Sequence, residues 1–122
     1  MNKTDALHGV NVAFVGAGAM GTAMIGGLLL RQHPGPNRIT ASDRHRERLA
    51  DVHDQFGITT TINNRTAVKN AHVVVLSVKP QVLPDVLAEL KGHIKPGALV
   101  VSIVAGATIT SIATGLGHKA IV

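Results

Sequence analysis

A glycine-rich segment near the amino terminus, GAGAMG at residues 16–21, constrains the fold of this chain more than any other feature. The segment has the spacing G-x-G-x-x-G, and it joins the apolar run VNVAFV to a stretch rich in Ala, Met and Leu. Between a strand and a helix, Gly16 permits a tight turn, Gly18 lets the backbone approach a pyrophosphate, and Gly21 brings the helix close to the sheet. The amides at the start of the helix are free to bind phosphate. The pattern therefore predicts a dinucleotide-binding turn.

Short β-branched runs alternate with helix-like stretches along the rest of the chain, which is the pattern of βαβ units. The strands are predicted at residues 10–15, 38–42, 58–62, 72–78 and 99–104, with residues 120–122 as the start of a sixth. The helices are predicted at residues 19–32, 43–56, 66–70, 80–90 and 108–116. Right-handed crossovers between parallel strands give a Rossmann-type, doubly wound, mainly parallel sheet in three α/β/α layers. We expect residues 1–122 to form one domain of this kind.

The charge balance indicates an anionic partner. Twelve Lys and Arg residues stand against seven Asp and Glu residues, which gives a formal net charge of +5. The two aromatic side chains, Phe14 and Phe56, lie in apolar patterns typical of a core. A protein that binds single-stranded nucleic acid stacks bases on exposed aromatic rings. The sequence therefore favours a small phosphorylated ligand over nucleic acid.

Several other classes of function are disfavoured by what the sequence lacks. The chain has no cysteine, so it offers no disulfide, no thiolate metal site and no cysteine nucleophile. Its seven histidines show no HxH or HExxH spacing, and we expect no metal site. The sequence contains neither an apolar run long enough to cross a membrane nor a secretory signal. We therefore expect a cytoplasmic protein without a membrane partner.

The residues after the second predicted strand bear on the choice between NAD and NADP. Asp43 stands about 20 residues after the glycine turn, where an acid reads the 2′-hydroxyl of NAD. It is also placed to cap the second helix. Arg44 favours the 2′-phosphate of NADP instead. We favour NADPH over NADH as the cofactor, and we interpret Arg46 and Arg48 as a solvated helix face.

Four segments resemble the amino-terminal half of the pyrroline-5-carboxylate reductases: VAFVGAGAMGTAMIGGLL, ITASDRHRERL, VVVLSVKPQVLPDVLAEL and LVVSIVAGATITSI. The most specific pieces are SVKPQ at residues 77–81 and SIVAGATI at residues 102–109, each at the carboxyl end of a predicted strand. Ligands bind at such ends in open α/β sheets. The family often has a polar residue where this chain has Ala19, and alanine where it has Gly21.

This resemblance implies an oxidoreductase of proline biosynthesis, which reduces 1-pyrroline-5-carboxylate to L-proline with NAD(P)H. It also implies the residues that bind the cofactor. These are Val15, Gly16, Ala17, Gly18, Ala19 and Met20 for the pyrophosphate, Ser42, Asp43, Arg44 and Asn64 for the adenosine side, and Ser77, Val78, Lys79, Pro80, Ile103, Val104 and Ala105 for the path to the nicotinamide. We predict no catalytic residue in this chain, because Lys79 before a proline is more typical of a phosphate or surface contact.

The family continues beyond this point with an all-helical domain that forms the dimer and holds the substrate. We therefore expect this chain to be a fragment, the cofactor-binding part, inactive alone and a homo-oligomer in its full-length form. Two alternatives remain open: a non-catalytic, stand-alone dinucleotide-binding module, and another Rossmann reductase such as a β-hydroxyacid or prephenate dehydrogenase. The SVKPQ and SIVAGATI segments argue against the second alternative.

Overall fold

The computed structural model describes residues 7–31 and 33–122. The strands in these ranges are β1 (Val12–Val15), β2 (Ile39–Ser42), β3 (Thr59–Thr61), β4 (Val73–Leu76) and β5 (Leu99–Ser102). The α-helices are α1 (Ala19–Leu29), α2 (Arg46–Phe56), α3 (Asn64–Val68), α4 (Leu83–Leu90) and α5 (Ile109–Leu116), and a 3₁₀ turn at Pro36–Arg38 precedes β2. Gln32, the predicted end of the first helix, lies outside the described residues. None of the helices in these ranges is long and apolar enough to cross a membrane.

The strands form one parallel sheet in the order β3-β2-β1-β4-β5. The end of the chain extends this sheet beside β5, where Val100 forms a parallel bridge with Ile121 and the Ser102 amide donates to the Val122 carbonyl. The predicted sixth strand is therefore a single bridge at the expected place. Chain reversal on either side of β1 creates the switch point at which such sheets bind ligands. The predicted Rossmann-type fold is confirmed.

Two hydrophobic clusters cover the two faces of the sheet. Alternate residues of a strand point to opposite faces, and in β1 Phe14 packs against the α1 and α2 side while Val15 packs against the α4 and α5 side. Both side chains are fully buried. Phe56, the second aromatic residue, is half-buried and packs against the cluster on the α1 and α2 side of the sheet. The three predicted α/β/α layers follow from this alternation.

Four helices start at residues other than those predicted. The helices α4 and α5 begin at Leu83 and Ile109, against predicted starts at residues 80 and 108, and the other two differ because of a polar side chain. The helix α2 begins at Arg46 rather than at Asp43, because the Asp43 carboxylate accepts a hydrogen bond from the His45 amide and holds the chain in a turn. The helix α3 begins at Asn64 rather than at Thr66, because the Asn63 side chain accepts from the Thr66 amide and caps the helix. The Asp43 carboxylate thus lies in a turn at the carboxyl end of β2.

Replacing Gly27 with alanine is expected to raise the free energy of unfolding by about 0.5–1 kcal/mol, because glycine inside a helix costs backbone entropy. Gly27 lies exposed on α1, and an added Cβ would meet no atom within 4 Å. Urea denaturation measures the change. Gly115→Ala is the contrasting variant on α5, because its Cβ would lie 2.9 Å from Leu87 Cδ1. A Gly27→Ala protein no more stable than Gly115→Ala would contradict this description of α1.

Candidate functional site

A cleft of about 460 Å³ opens at the carboxyl ends of β1, β2 and β4. Its walls come from the glycine turn, the loop and first turn of α2, the start of α3, and the segment that joins β4 to α4. The lining residues are Gly16, Gly18, Ala19, Asp43, Arg44, His45, Arg48, Asn64, Ser77, Val78, Lys79, Val82 and Val86. The cleft therefore lies at the switch point of the sheet, where the sequence predicts the ligand.

The three glycines of the turn have different surroundings. Gly16 has a φ of +103°, and an added Cβ would lie 2.7 Å from the Ser77 carbonyl oxygen. A Cβ on Gly21 would lie 2.7 Å from the Gly16 carbonyl oxygen. In contrast, a Cβ on Gly18 would meet no atom within 4 Å. The first and third glycines are thus required by packing, whereas the second leaves open space beside the start of α1.

One peptide unit of this turn is held at both ends. The Gly16 carbonyl accepts a hydrogen bond of 2.6 Å from the Ser77 hydroxyl, which follows β4. The amide at the other end of the same unit, that of Ala17, donates to Asp43 Oδ2 at 2.9 Å. The Gly16–Ala17 peptide is therefore fixed between the ends of β2 and β4.

The Asp43 carboxylate has protein partners on both of its oxygens. In addition to the Ala17 amide, Oδ2 accepts from Arg48 Nη1 at 3.2 Å. Oδ1 accepts from the His45 amide, and the His45 Nδ1 atom also lies 2.9 Å from it. Burial of this carboxyl group opposes its ionisation, but the hydrogen bonds from Ala17 and His45 outweigh burial and lower the pKa of Asp43. Asp43 is consequently an anion at neutral pH.

Basic side chains lie along the α2 side of the cleft and at its β4 end. Arg44 and Lys79 line the cleft and are exposed. Arg48 also lines it and binds Asp43, while its side chain remains 41% exposed, so the predicted solvated helix face describes its exposure but not this ion pair. Arg46, the first residue of α2, is exposed and outside the lining.

The predicted site residues fall into two groups. Those that line the cleft are Gly16, Gly18, Ala19, Asp43, Arg44, Asn64, Ser77, Val78 and Lys79. The others lie outside the lining, and they are Val15, Ala17, Met20, Ser42, Pro80, Ile103, Val104 and Ala105.

Several residues of the second group lie directly behind or beside the lining. Val15, Ala17 and Ser42 are buried. The Ser42 hydroxyl donates to Asn64 Oδ1 at 2.6 Å and so orients the Asn64 side chain. The Ile103 amide donates to the Leu76 carbonyl, which places the segment after β5 beside the end of β4.

Four lining residues were not predicted: His45, Arg48, Val82 and Val86. A usable signal was present for the two valines, because Val86 follows Val82 by four residues at the start of α4, and residues four apart share one side of a helix. No pattern in the sequence identified His45 or Arg48, since Arg44 lies before the start of α2.

Comparison with known proteins gives matches over most of the chain. Residues 11–106 match the family model described as NADP oxidoreductase, coenzyme F420-dependent. The pyrroline-5-carboxylate reductase of Pseudomonas aeruginosa is 42% identical over 107 residues, which are 88% of this chain and 39% of that protein. The Escherichia coli enzyme of the same name is 35% identical over 107 residues, with 88% and 40% covered.

A solved structure agrees with the sequence matches. A pyrroline-5-carboxylate reductase from Coxiella burnetii superposes with a TM-score of 0.83 at 36% identity, over 88% of this chain and 40% of that chain. The resemblance to the amino-terminal half of these proteins is thereby confirmed. The chain spans about two fifths of the length of the relatives that it matches.

Proposed function

This chain belongs to the NADP oxidoreductase, coenzyme F420-dependent family, its relatives are pyrroline-5-carboxylate reductases, and we propose that it is the NADPH-binding part of such a reductase. The whole protein would reduce 1-pyrroline-5-carboxylate to L-proline. When bound, the nicotinamide of NADPH supplies the hydride for this reaction. The work of this chain is to bind the cofactor and to orient it. We assign no catalytic residue to it, and we assign substrate binding and homo-oligomer contacts to the whole protein.

The observation that carries the proposal is the open space at Gly18, on the wall of a cleft that also has three basic side chains. The first amides of a helix have no partner within the helix, and together with the helix dipole they bind phosphate. Gly18 stands directly before α1, and the space that a Cβ on it would occupy is open, with no atom within 4 Å. The residues present therefore fit a pyrophosphate at the start of α1.

The preference for NADPH is supported by the residues at the end of β2. The Asp43 carboxylate, which would favour the free 2′-hydroxyl of NAD, is already bound to Ala17, His45 and Arg48. The side chain of Arg44 is exposed in the cleft beside it. A guanidinium group binds phosphate through two parallel hydrogen bonds. We therefore place the 2′-phosphate at Arg44, with Arg48 as a second positive charge nearby.

Titration of the chain with NADPH, followed by nucleotide fluorescence, tests the proposed function. Saturable binding is expected, with a higher affinity for NADPH than for NADH. Because the proposed contacts are ionic, the affinity for NADPH is expected to fall more steeply with salt than that for NADH. If neither nucleotide binds, the proposed function is wrong.

Arg44→Gln is expected to weaken NADPH binding by about tenfold and to leave NADH binding nearly unchanged, because a hydrogen bond to a charged group is worth roughly 1.5–3 kcal/mol. The same fluorescence titration measures both affinities. Arg46→Gln is the matched control, since Arg46 carries the same charge on the same segment outside the cleft. Equal losses for NADPH and NADH in Arg44→Gln would show that Arg44 does not bind the 2′-phosphate.

A further inference from the structure

The acid at the end of β2 lines the cleft, but both of its carboxylate oxygens are bound by groups of the protein. A carboxylate accepts about four hydrogen bonds in total. The Ala17 amide and Arg48 occupy Oδ2 of Asp43, and two nitrogens of His45 lie at Oδ1. Its side chain is 7% exposed. Three of the four acceptor positions of Asp43 are thus taken, and the fourth is taken as well when His45 Nδ1 carries a proton, which leaves no position for a ribose hydroxyl.

We propose that Asp43 is a positioning residue, which together with Ser77 clamps the Gly16–Ala17 peptide so that the next amides of the turn face the cofactor phosphates. This inference rests on the proposed function. The clamp consists of the hydrogen bond from Ala17 to Asp43 and the one from Ser77 to the Gly16 carbonyl. Since these bonds act on the two ends of one rigid, planar unit, they fix its orientation about the chain axis.

The clamp determines which amides of the turn are available to phosphate. The Gly16 amide donates to the Ser42 carbonyl at 2.8 Å, and the Ala17 amide donates to Asp43. The amides that follow belong to Gly18 and to Ala19, both of which line the cleft. A turn held in this way binds phosphate without first losing conformational freedom, which favours affinity.

Asp43 also connects the glycine turn to the basic side of the cleft. The oxygen that accepts from the Ala17 amide accepts from Arg48 as well, and this bond holds the guanidinium group against the end of β2. The carboxylate thus places a positive charge beside Arg44 while its own charge is balanced. The negative charge of Asp43 is thereby kept from repelling a 2′-phosphate.

Asp43→Asn separates this role from that of a ribose-reading acid. The substitution replaces one carboxylate oxygen with an NH₂ group, which cannot accept a hydrogen bond. The Asn side chain can therefore accept from Ala17 or from His45, but not from both. We expect the affinities for NADPH and NADH to fall together, each by about tenfold. A ribose-reading acid predicts a different result, in which NADH binding is lost while NADPH binding is unchanged or improved. That result would overturn the proposal.

Two further variants sharpen this test. Ser77→Ala removes the other half of the clamp and is expected to lower the affinities for NADPH and NADH by the same factor. Because both side chains act on one peptide, their effects are not expected to add. The variant that carries both Asp43→Asn and Ser77→Ala is expected to bind only slightly more weakly than the single variant with the lower affinity. Fully additive losses would contradict a shared clamp. Asp51→Asn, the same substitution at an exposed position of α2, is the control and is expected to leave both affinities unchanged.

Amide NMR of the unsubstituted chain provides a measurement that does not depend on the folding of any variant. Without nucleotide, the Ala17 amide resonance is expected to move at acid pH as Asp43 is protonated. With saturating NADPH, the resonances of Gly18 and Ala19 are expected to move most and that of Ala17 much less. If the Ala17 amide resonance does not move at acid pH, the proposed clamp is wrong, whether or not NADPH binds. Absence of NADPH binding alone would contradict only the proposed function.

Discussion

Replacing Gly16 with alanine is expected to lower the free energy of unfolding by more than about 3 kcal/mol, or to prevent folding. One cost is the backbone angle, since φ is +103° and an L side chain there costs roughly 1–2 kcal/mol. The second cost is a collision, because the added Cβ would lie 2.7 Å from the carbonyl oxygen of Ser77 and 2.8 Å from the amide nitrogen of Val78. Both are backbone atoms directly after the inner strand β4, so they have little freedom to move away.

Urea denaturation of Gly16→Ala against Gly18→Ala measures this effect with a matched control. Gly18 has a φ of −76°, and a Cβ added to it meets no atom within 4 Å. The free energy of unfolding of Gly18→Ala is therefore expected to lie within about 1 kcal/mol of that of the unsubstituted protein. The two substitutions add the same methyl group two residues apart. Equal stabilities for the two variants would contradict the contact between the turn and the segment after β4.

Replacing Gly18 with valine is expected to weaken NADPH binding by about 100-fold or more while the free energy of unfolding changes little. The backbone at Gly18 is extended, a conformation that β-branched residues adopt readily. The valine methyl groups would project into the space through which the phosphates reach the start of α1. Each hydrogen bond from a backbone amide to a charged phosphate is worth roughly 1.5–3 kcal/mol, and the absence of two such bonds accounts for the expected weakening.

Fluorescence titration and urea denaturation of the same Gly18→Val sample separate binding from folding. Gly97→Val, in the turn before β5, is the control, because its Cβ also meets no atom within 4 Å and it lies away from the cleft. This control is expected to bind NADPH like the unsubstituted protein. If Gly18→Val binds NADPH normally, the phosphates do not lie against this part of the turn.

The fold was predictable because it depends on patterns that are local in the sequence. The strand β4 is a nearly continuous apolar run, as expected of a parallel strand buried on both faces, and the G-x-G-x-x-G spacing indicated the first βα turn. The element boundaries were less predictable. The start of α2 depends on a hydrogen bond from the His45 amide to the Asp43 side chain, which competes with helix formation.

The candidate site was predictable only where single residues of fixed type are required. The spacing of the glycines indicates Gly16 and Gly18. The structure shows that packing requires Gly16, whereas the requirement for Gly18 is part of the proposed phosphate site. The function of Asp43 was not predictable, because the sequence is compatible with both a ribose-reading acid and a helix cap. In the structure its carboxylate binds the Ala17 amide, 26 positions away in the chain. Such a contact depends on the pairing of β1 with β2 and leaves no local pattern.

The most direct test of the proposed phosphate site is to follow the backbone amides of the chain by NMR during titration with NADPH. Saturable shifts are expected that are largest at Gly18 and Ala19, with smaller shifts at Arg44 and Asn64. A titration without saturable shifts would contradict the proposed site. So would shifts centred on the opposite edge of the sheet, around Thr66 and Asn70, where a second and smaller polar cavity lies.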